Sequence, residues 1–444
     1  PAYRRGNFFS ASLAWKVNED FFKDIEQIDA LKLRFGWGQT GNSDIGGGFQ
    51  YLDKISEATQ FSPVFGDDQH IARAQYVFYG FGSKEIHWEA AEMLNFGVDL
   101  NMFGNRLQTS AEYYIKNNND LLVAIPISAA FGRQDGNPWF NTGNIQNRGI
   151  ELSLQWREKR GEFEYGFVSN FTTIKNEVKY LPVTDITTGN NRTIEGHSIG
   201  ALYGFVSDGI IQLNEDNYEK GADGNWQKDA NGLYTGYKHA THAGNTPQPG
   251  DIMYKDLNAD GDVTDLDKTI IGKTIPSFNY SLGFDCNYKN FDLSLFFYGV
   301  GDFHIYNAQR ANLSSMNSQD MDHNKLNDFA QNYWTLENAS TTHVRLDPSN
   351  RNVNDRISSF WIEDGSFLRL KDTQVGYTLP ETFCTRIGIA SLRLYVNASN
   401  LFCITSYKGR DPEGFISSNP LSSGTDGGSY SMPKTFTGGL QIQF

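Results

Sequence analysis

From Ala30 to Thr40 apolar and polar side chains alternate without a break. Leu31, Leu33, Phe35 and Trp37 take the odd positions, and Lys32, Arg34, Gly36 and Gly38 the even ones. Successive side chains of an extended chain point to opposite faces, so the pattern predicts a strand with one greasy and one polar face. Asn7 to Val17 repeats it, with Phe9, Ala11, Leu13, Trp15 and Val17 set against Ser10, Ser12 and Lys16. Three hairpins follow: one turning at Gly104-Asn105, one at Gly161 and one at Lys289-Asn290. In the segment starting at Phe367 the apolar set changes face, from Leu368 and Leu370 to Val375 and Tyr377, which predicts a bulge near Asp372-Thr373. Eleven strands result, at 7–17, 29–40, 90–103, 105–116, 145–157, 163–175, 278–288, 291–300, 358–379, 389–402 and 435–444.

The connections decide what these strands build. Short ones fall at 18–28, 103–106, 157–162, 289–290 and 380–388, and long ones at 41–89, 117–144, 176–275, 302–357 and 403–434. Short and long alternate once the run Gly200–Ile211 is placed inside a long loop. A soluble sandwich gives no reason for such asymmetry, whereas an outer-membrane barrel has short turns at one end and long loops at the other. Mid-strand Lys32, Arg34, Asp99, Glu112, Glu151 and Arg157 suit a watered lumen. Trp15, Trp37, Tyr113 and Trp156 toward strand ends suit aromatic girdles. The expectation is an all-β, transmembrane antiparallel β-barrel with long extracellular loops and short periplasmic turns. Eleven is an odd number, and an open sheet leaves edges that lipid cannot solvate, so these strands are expected to be part of a larger barrel.

Composition narrows the picture. The chain has 444 residues and a formal charge of -14, which leaves no cationic excess for phosphate and argues against a nucleic-acid partner. No apolar run reaches the ~18 residues of a spanning helix. The opening PAYRRG has no apolar leader core. Three cysteines form no complete disulfide framework and no zinc pattern; Cys286, Cys384 and Cys403 are expected unpaired. Aromatic residues make up 14% of the chain and glycines number 44, in keeping with strands.

Several segments resemble the SusC/RagA-like TonB-dependent transporters of Bacteroidota. They are LKLRFGWGQTGN at 31–42, NTGNIQNRGIEL at 141–152, GDIMYKDLNADGDVTDLDKTIIG at 250–272, FNYSLGF at 278–284, YKNFDLSLFF at 288–297, GSFLRLKDTQVGYTLP at 365–380 and RLYVNASNLF at 393–402. The resemblance implies that residues 1–444 are the C-terminal half of a 22-stranded barrel in the bacterial outer membrane. The plug domain and the N-terminal half of the barrel would lie outside the sequence. It also implies partnership with TonB and with a SusD-like surface lipoprotein. Phe444 resembles the aromatic end of assembled barrels.

One motif carries recognisable local chemistry, inside the long loop 176–275. Read as a twelve-position calcium loop spanning 256–267, it places Asp256, Asn258 and Asp260 at positions 1, 3 and 5 and Gly261 at the turn. Asp262 offers a carbonyl at position 7, and Asp267 stands at 12 in place of the usual Glu. Hard oxygens packed this closely repel unless a cation neutralises them, so a structural Ca²⁺ is expected; a solvated Asp/Asn turn is the plainer reading. His239 and His242 form a two-histidine pair with no evident third ligand, and a solvent-facing loop is expected there. The run Gly46-Gly47-Gly48 lacks the Lys-Ser/Thr of a phosphate loop, and no nucleophile elbow or paired carboxylates stand out, so no catalytic residue is expected and the protein is not read as an enzyme.

Rings in the long loops form the remaining candidates: Phe131, Trp139 and Phe140; Trp226, Tyr234 and Tyr237; Tyr333 and Trp334. A ring face beside Asn, Asp and Gln suits a sugar, because the ring packs on C–H groups while amides bond hydroxyls. Trp139, Phe140, Trp226 and Trp334 are therefore the substrate candidates, with packing between loops or against the lid lipoprotein as the bland alternative for each. The function expected is active import of an oligosaccharide, with an oligopeptide as second choice. A passive outer-membrane channel and a soluble glycan-binding protein or hydrolase stand as the readings from other classes.

Overall fold

The computed structural model describes residues 5–42, 51–58, 75–125, 137–316, 324–347, 352–415 and 419–444. The chain forms two compact units, Pro1–Ile186 with Ile194–Ser198, and Thr187–Thr193 with Ile199–Phe444. Phe131 and the three-glycine run at 46–48 lie outside the described residues.

The first unit is a wall of six long strands. These are β1 (Ser10–Lys16), β2 (Ile28–Asn42), β3 (Glu89–Met102), β4 (Leu107–Ala124), β5 (Trp139–Arg160) and β6 (Phe163–Thr173), each antiparallel to the next. Trp15 stands opposite Leu33, and Leu33 opposite Val98, so the apolar sets share a face. Protein does not cover that face: Leu13 is 69% and Phe96 49% exposed. A sandwich would have buried both. The polar face is cross-linked instead. Arg34 Nε lies 2.8 Å from Asp99 on β3, and its Nη1 reaches Glu112 on β4 at 3.1 Å. The guanidinium crosses β3 at Gly97, where a Cβ would stand 2.8 Å from Arg34 Nη2. Gly97→Val is therefore expected to displace this strap at a cost of about 1 kcal/mol or less, since the guanidinium end can swing aside and a partly exposed ion pair contributes little. Thermal unfolding of the whole transporter in detergent measures it, and an unchanged midpoint would show the strap yielding freely.

Both β4 and β5 run past their expected ends. Asn117–Ala124 pairs with Trp139–Gln146 as an extended ribbon, with Asp120 in the left-handed region at φ 56°. The Asn-rich sequence has no apolar alternation, so it reads as loop, yet cross-strand pairing extends it, and where the register breaks the N–H groups of Asp120 and Leu122 go to Asn144 Oδ1 at 3.3 Å and Glu89 Oε1 at 2.9 Å. The segment Lys175–Tyr180 also pairs with the far end of β5.

The second unit has a wall of five strands, β7 (Phe278–Tyr288), β8 (Phe291–Gly301), β9 (Phe367–Thr378), β10 (Ser391–Thr405) and β11 (Thr435–Gln443). The expected bulge is present one residue early: Phe296 pairs with Asp372 and Phe297 with Leu370, leaving Lys371 over. A second strap mirrors the first, as Arg393 on β10 crosses β9 at Gly376 to bond Asp292 on β8 through Nε at 2.9 Å. The expected strand 358–379 begins only at Phe367. Its apolar start belongs to a loop core: Ser359–Trp361 is one 3-10 turn, and Ile362–Asp364 pairs with His304–Tyr306.

The long loops of this unit are packed bodies. Leu202, Phe205, Ile252, Val263, Phe329 and Trp361 form one buried cluster, and Phe303, Ile305, Tyr407 and Phe415 belong to a second. The Gly200–Ile211 run lies here as two short strands, Ala201–Gly204 and Ser207–Ile210, outside the wall. Helices among the described residues are confined to turns and loops, and none is long and apolar enough to cross a membrane.

Candidate functional site

In the first unit, the extended ribbon of β4 and β5 frames a two-lobed recess. Its larger lobe, about 520 Å³, is lined by Phe81, Gly82, Ser83, Lys84, Glu85, Pro138 and Phe140. The smaller, about 230 Å³, shares Ser83, Glu85 and Phe140 and adds His87, Ile125, Asn141 and Thr142. Phe140 is 40% exposed. Trp139, its neighbour on the strand, points to the other face and lines neither lobe. The polar side is held rigidly: Asn141 Oδ1 accepts the His87 N–H at 2.9 Å, while its Nδ2 donates to the carbonyls of His87 and Asp120, both at 2.9 Å. His87 Nε2 stands 3.7 Å from Asp120. One aromatic face thus borders a carboxylate, a hydroxyl and an imidazole, an arrangement able to stack on a ring of C–H groups and bond its hydroxyls. The sequence flagged Phe140 but not Phe81, Glu85 or His87, which come from the patternless connection before β3.

The rings of the second unit are differently employed. Lys220 Nζ sits 4.8 Å from the centre of the Trp226 ring and is itself held by Glu215 at 2.7 Å. Tyr234 and Tyr237 each pack on Tyr218, at 6.0 and 5.3 Å between centres. Trp334 is 8% exposed and donates from Nε1 to Gln212 at 3.1 Å. With Tyr234 and Tyr333 it borders a cleft of about 250 Å³ that also meets Gln248 and Arg345. The polar groups there are already engaged: Arg345 bonds Asp251 and Asp347, each at 2.6 Å, and Gln248 bonds both backbone atoms of Tyr234.

The 256–267 loop keeps the shape its spacing implies, with Gly261 at φ 91°. Its oxygens bond the loop itself. Asp256 accepts from the N–H groups of Ala259 at 2.7 Å and Gly261 at 2.8 Å, Asn258 from Asp260 at 2.9 Å, and Asp260 from Asp262 at 2.9 Å. Asp262 turns its carboxylate away, to Thr241 Oγ1 at 2.7 Å and the Gly244 N–H at 3.0 Å. Asp267 is fully buried; burial pushes its carboxyl up, but the N–H groups of Thr264, Leu257 and Asn258 outweigh that and hold it below the usual range. Among the described residues no three His, Cys, Asp or Glu side chains converge to hold a metal ion. His239 and His242 do not act together: His239 bonds Asn217 at 3.1 Å, while His242 is fully buried against Asn352. The solvent-facing placement expected for His242 is thus corrected, because its ring packs 5.1 Å from Tyr254 in the loop core. Cys286, Cys384 and Cys403 are free thiols.

The pattern described as TonB dependent receptor-like, beta-barrel matches residues 2–401. TonB-dependent receptor P3 of Formosa agariphila is 32% identical, the match covering 98% of this chain and 42% of P3. TonB-dependent receptor SusC of Bacteroides thetaiotaomicron is 27% identical, covering 99% of this chain and 40% of SusC. The chain therefore spans about two-fifths of the length of these curated relatives. A solved structure of the RagAB peptide transporter shares the fold, with a TM-score of 0.77 at 20% identity over 98% of this chain and 43% of that one.

Proposed function

The chain belongs to the TonB-dependent receptor-like β-barrel family, transporters of the outer membrane rather than enzymes, and from that premise we propose that it forms half the wall of a 22-stranded importer for oligosaccharides. In the whole protein TonB supplies the work that frees a plugged lumen too wide to leave open, and a SusD-like surface lipoprotein closes over the outer mouth. The observation that carries the substrate reading is the recess at Phe140, where an exposed ring adjoins Glu85, His87 and Thr142. The apolar larger lobe, with Phe81 and Pro138, favours an oligopeptide as the second reading, because it would take an aliphatic or aromatic side chain. Phe140→Ala is expected to remove about 1 kcal/mol of stacking, roughly fivefold in affinity. Calorimetry of the whole transporter with its lipoprotein, against a glucan, a fructan and a mixed peptide digest, checks both points. Heat with peptides alone would overturn the sugar reading.

For the 256–267 loop we propose a structural calcium ion, supported by the ligand spacing and by the left-handed turn at Gly261. The oxygens of Asp256, Asn258 and Asp260 would exchange part of their bonding from N–H groups to the ion. Titration of the whole protein with calcium is expected to give heat that Asp260→Ala removes. A wild-type protein giving none would mean that the loop closes on its own backbone bonds.

A further inference from the structure

Each unit has one short connection carrying an apolar pair, four residues apart, that its own unit leaves bare. In the first, the single helical turn Asn18–Phe21 ends at Phe21, 68% exposed, followed by Ile25 at 41%. In the second, the helix Glu381–Arg386 presents Phe383 at 49%, with Ile387 at 54% just beyond, while the adjacent Cys384 is buried. Phe383 and Ile387, four apart along the end of the helix, emerge on one side as a single apolar patch, while Phe21 and Ile25 stand exposed on either side of the bend that follows the first turn. Leaving such patches in water forgoes about 25 cal/mol per Å² of apolar surface.

The first patch continues, and the second follows closely along the chain, a face whose occupant the family fixes. The Phe21 ring packs edge-on against Trp15 at 5.7 Å, and Trp15 shares the bare side of β1 with Leu13. In the second unit the helix begins three residues after the end of β9, where the Tyr377 ring meets Phe291 at 4.7 Å and Phe291 is 57% exposed. In an outer-membrane barrel the bare apolar side of the strands meets hydrocarbon, so a patch that prolongs it past the strand ends sits at the level of the headgroups. Cations accompany each patch: Lys16 and Lys23 in the first, Lys289 and Arg386 in the second. Nearby acids are partly spoken for, since Asp20 accepts from the Trp15 indole at 2.7 Å and Glu19 from Lys16 at 3.2 Å.

We propose that Phe21 with Ile25, and Phe383 with Ile387, are seated in the phospholipid interface, each at the short-turn end of its own unit's strands, with the neighbouring Lys and Arg at phosphate level. Aromatic and aliphatic groups on one side with snorkelling cations beside them are what a headgroup layer receives. The inference rests on the family reading of the wall, and its test separates the two. Nitroxide labels are placed one at a time at Phe21→Cys, Phe383→Cys, Leu13→Cys and Glu381→Cys in the whole transporter, with its other reactive cysteines replaced and buried Cys384 retained. The labelled proteins are reconstituted in vesicles of phosphatidylethanolamine and phosphatidylglycerol. The ratio of oxygen to nickel-complex accessibility is expected to be several-fold higher at Phe21 and Phe383 than at Glu381, and lower than at Leu13. Phe21 and Phe383 matching Glu381 would overturn the proposal, as would closure to both reagents, which signals a protein cover. Leu13 found in water would instead overturn the spanning wall itself.

Discussion

Arg369→Met is expected to detach the 403–434 loop from the wall of the second unit. Arg369 lies two residues into β9 and is 4% exposed, with Nη2 at 2.5 Å from Asp411 and Nε at 3.1 Å from Glu413. Lys371, the residue left over by the bulge, also bonds Glu413. Asp411 in turn receives the Glu413 N–H at 3.0 Å and the Met432 N–H at 2.9 Å, so the carboxylates tie both arms of the loop to one cationic pair. Without Arg369, Asp411 stays buried with no guanidinium opposite. Removing one partner from a buried pair costs roughly 3–5 kcal/mol, most of it the penalty on the charge left behind. Arg369→Lys keeps the charge but loses the fork, and an intermediate loss is expected. Limited proteolysis within 403–434, quantified against an uncut wall, measures the effect. Equal cleavage rates in wild type and Arg369→Met would place the loop's anchorage elsewhere, in the packing of Tyr407 and Phe415 with Val300 and Phe367 of the wall.

The wall was legible because period two is a strong signal wherever one face is uncovered: Leu31, Leu33, Phe35 and Trp37 announce β2 without help from anything distant. Even the face change in β9 showed, and the bulge lies at Lys371. Legibility failed where another force sets the pattern. Phe360, Trp361 and Ile362 look like a strand, but they are apolar because a loop core needs them. Asn117 and Asn118 look like a loop, but cross-strand pairing extends them. The candidate site was half legible for the same reason. Phe140 could be singled out as a loop ring, whereas Glu85 and His87 reach it from a connection with no period to follow. Sequence also could not tell an exposed ring from a covered one, and Trp226 under Lys220 differs from Phe140 only in three dimensions.

Acid is expected to loosen the outer-loop body of the second unit through His242, starting as pH falls below ~6.5. Its ring is fully buried, with Nδ1 on Asn352 and Nε2 without a partner among the described residues. Burial, with a smaller push from Arg356, holds its pKa down at about 4, against the bond from Asn352 and the charge of Asp262. The unfolded chain protonates this histidine near ~6.5. As pH falls below that value the unfolded state takes up a proton that the folded state refuses. The penalty grows until the folded ring also titrates at about 4, below which it is fully present, and above about 6.5 it is absent. Its size is roughly 3 kcal/mol. Asp262 also weakens the fold in acid, but in a separate window. The Gly244 N–H and the Thr241 hydroxyl hold its carboxyl below the usual range, so its contribution disappears only as pH falls through that lowered value. Thermal unfolding followed by tryptophan fluorescence at pH 7 and 4.5, without added divalent ions, reads the first window, since Trp361 and Trp334 lie in the same core. His242→Gln is expected to abolish most of the difference between the two pH values whatever it does at neutrality. A variant that keeps the full acid sensitivity would assign the effect to other groups and leave His242 a packing residue.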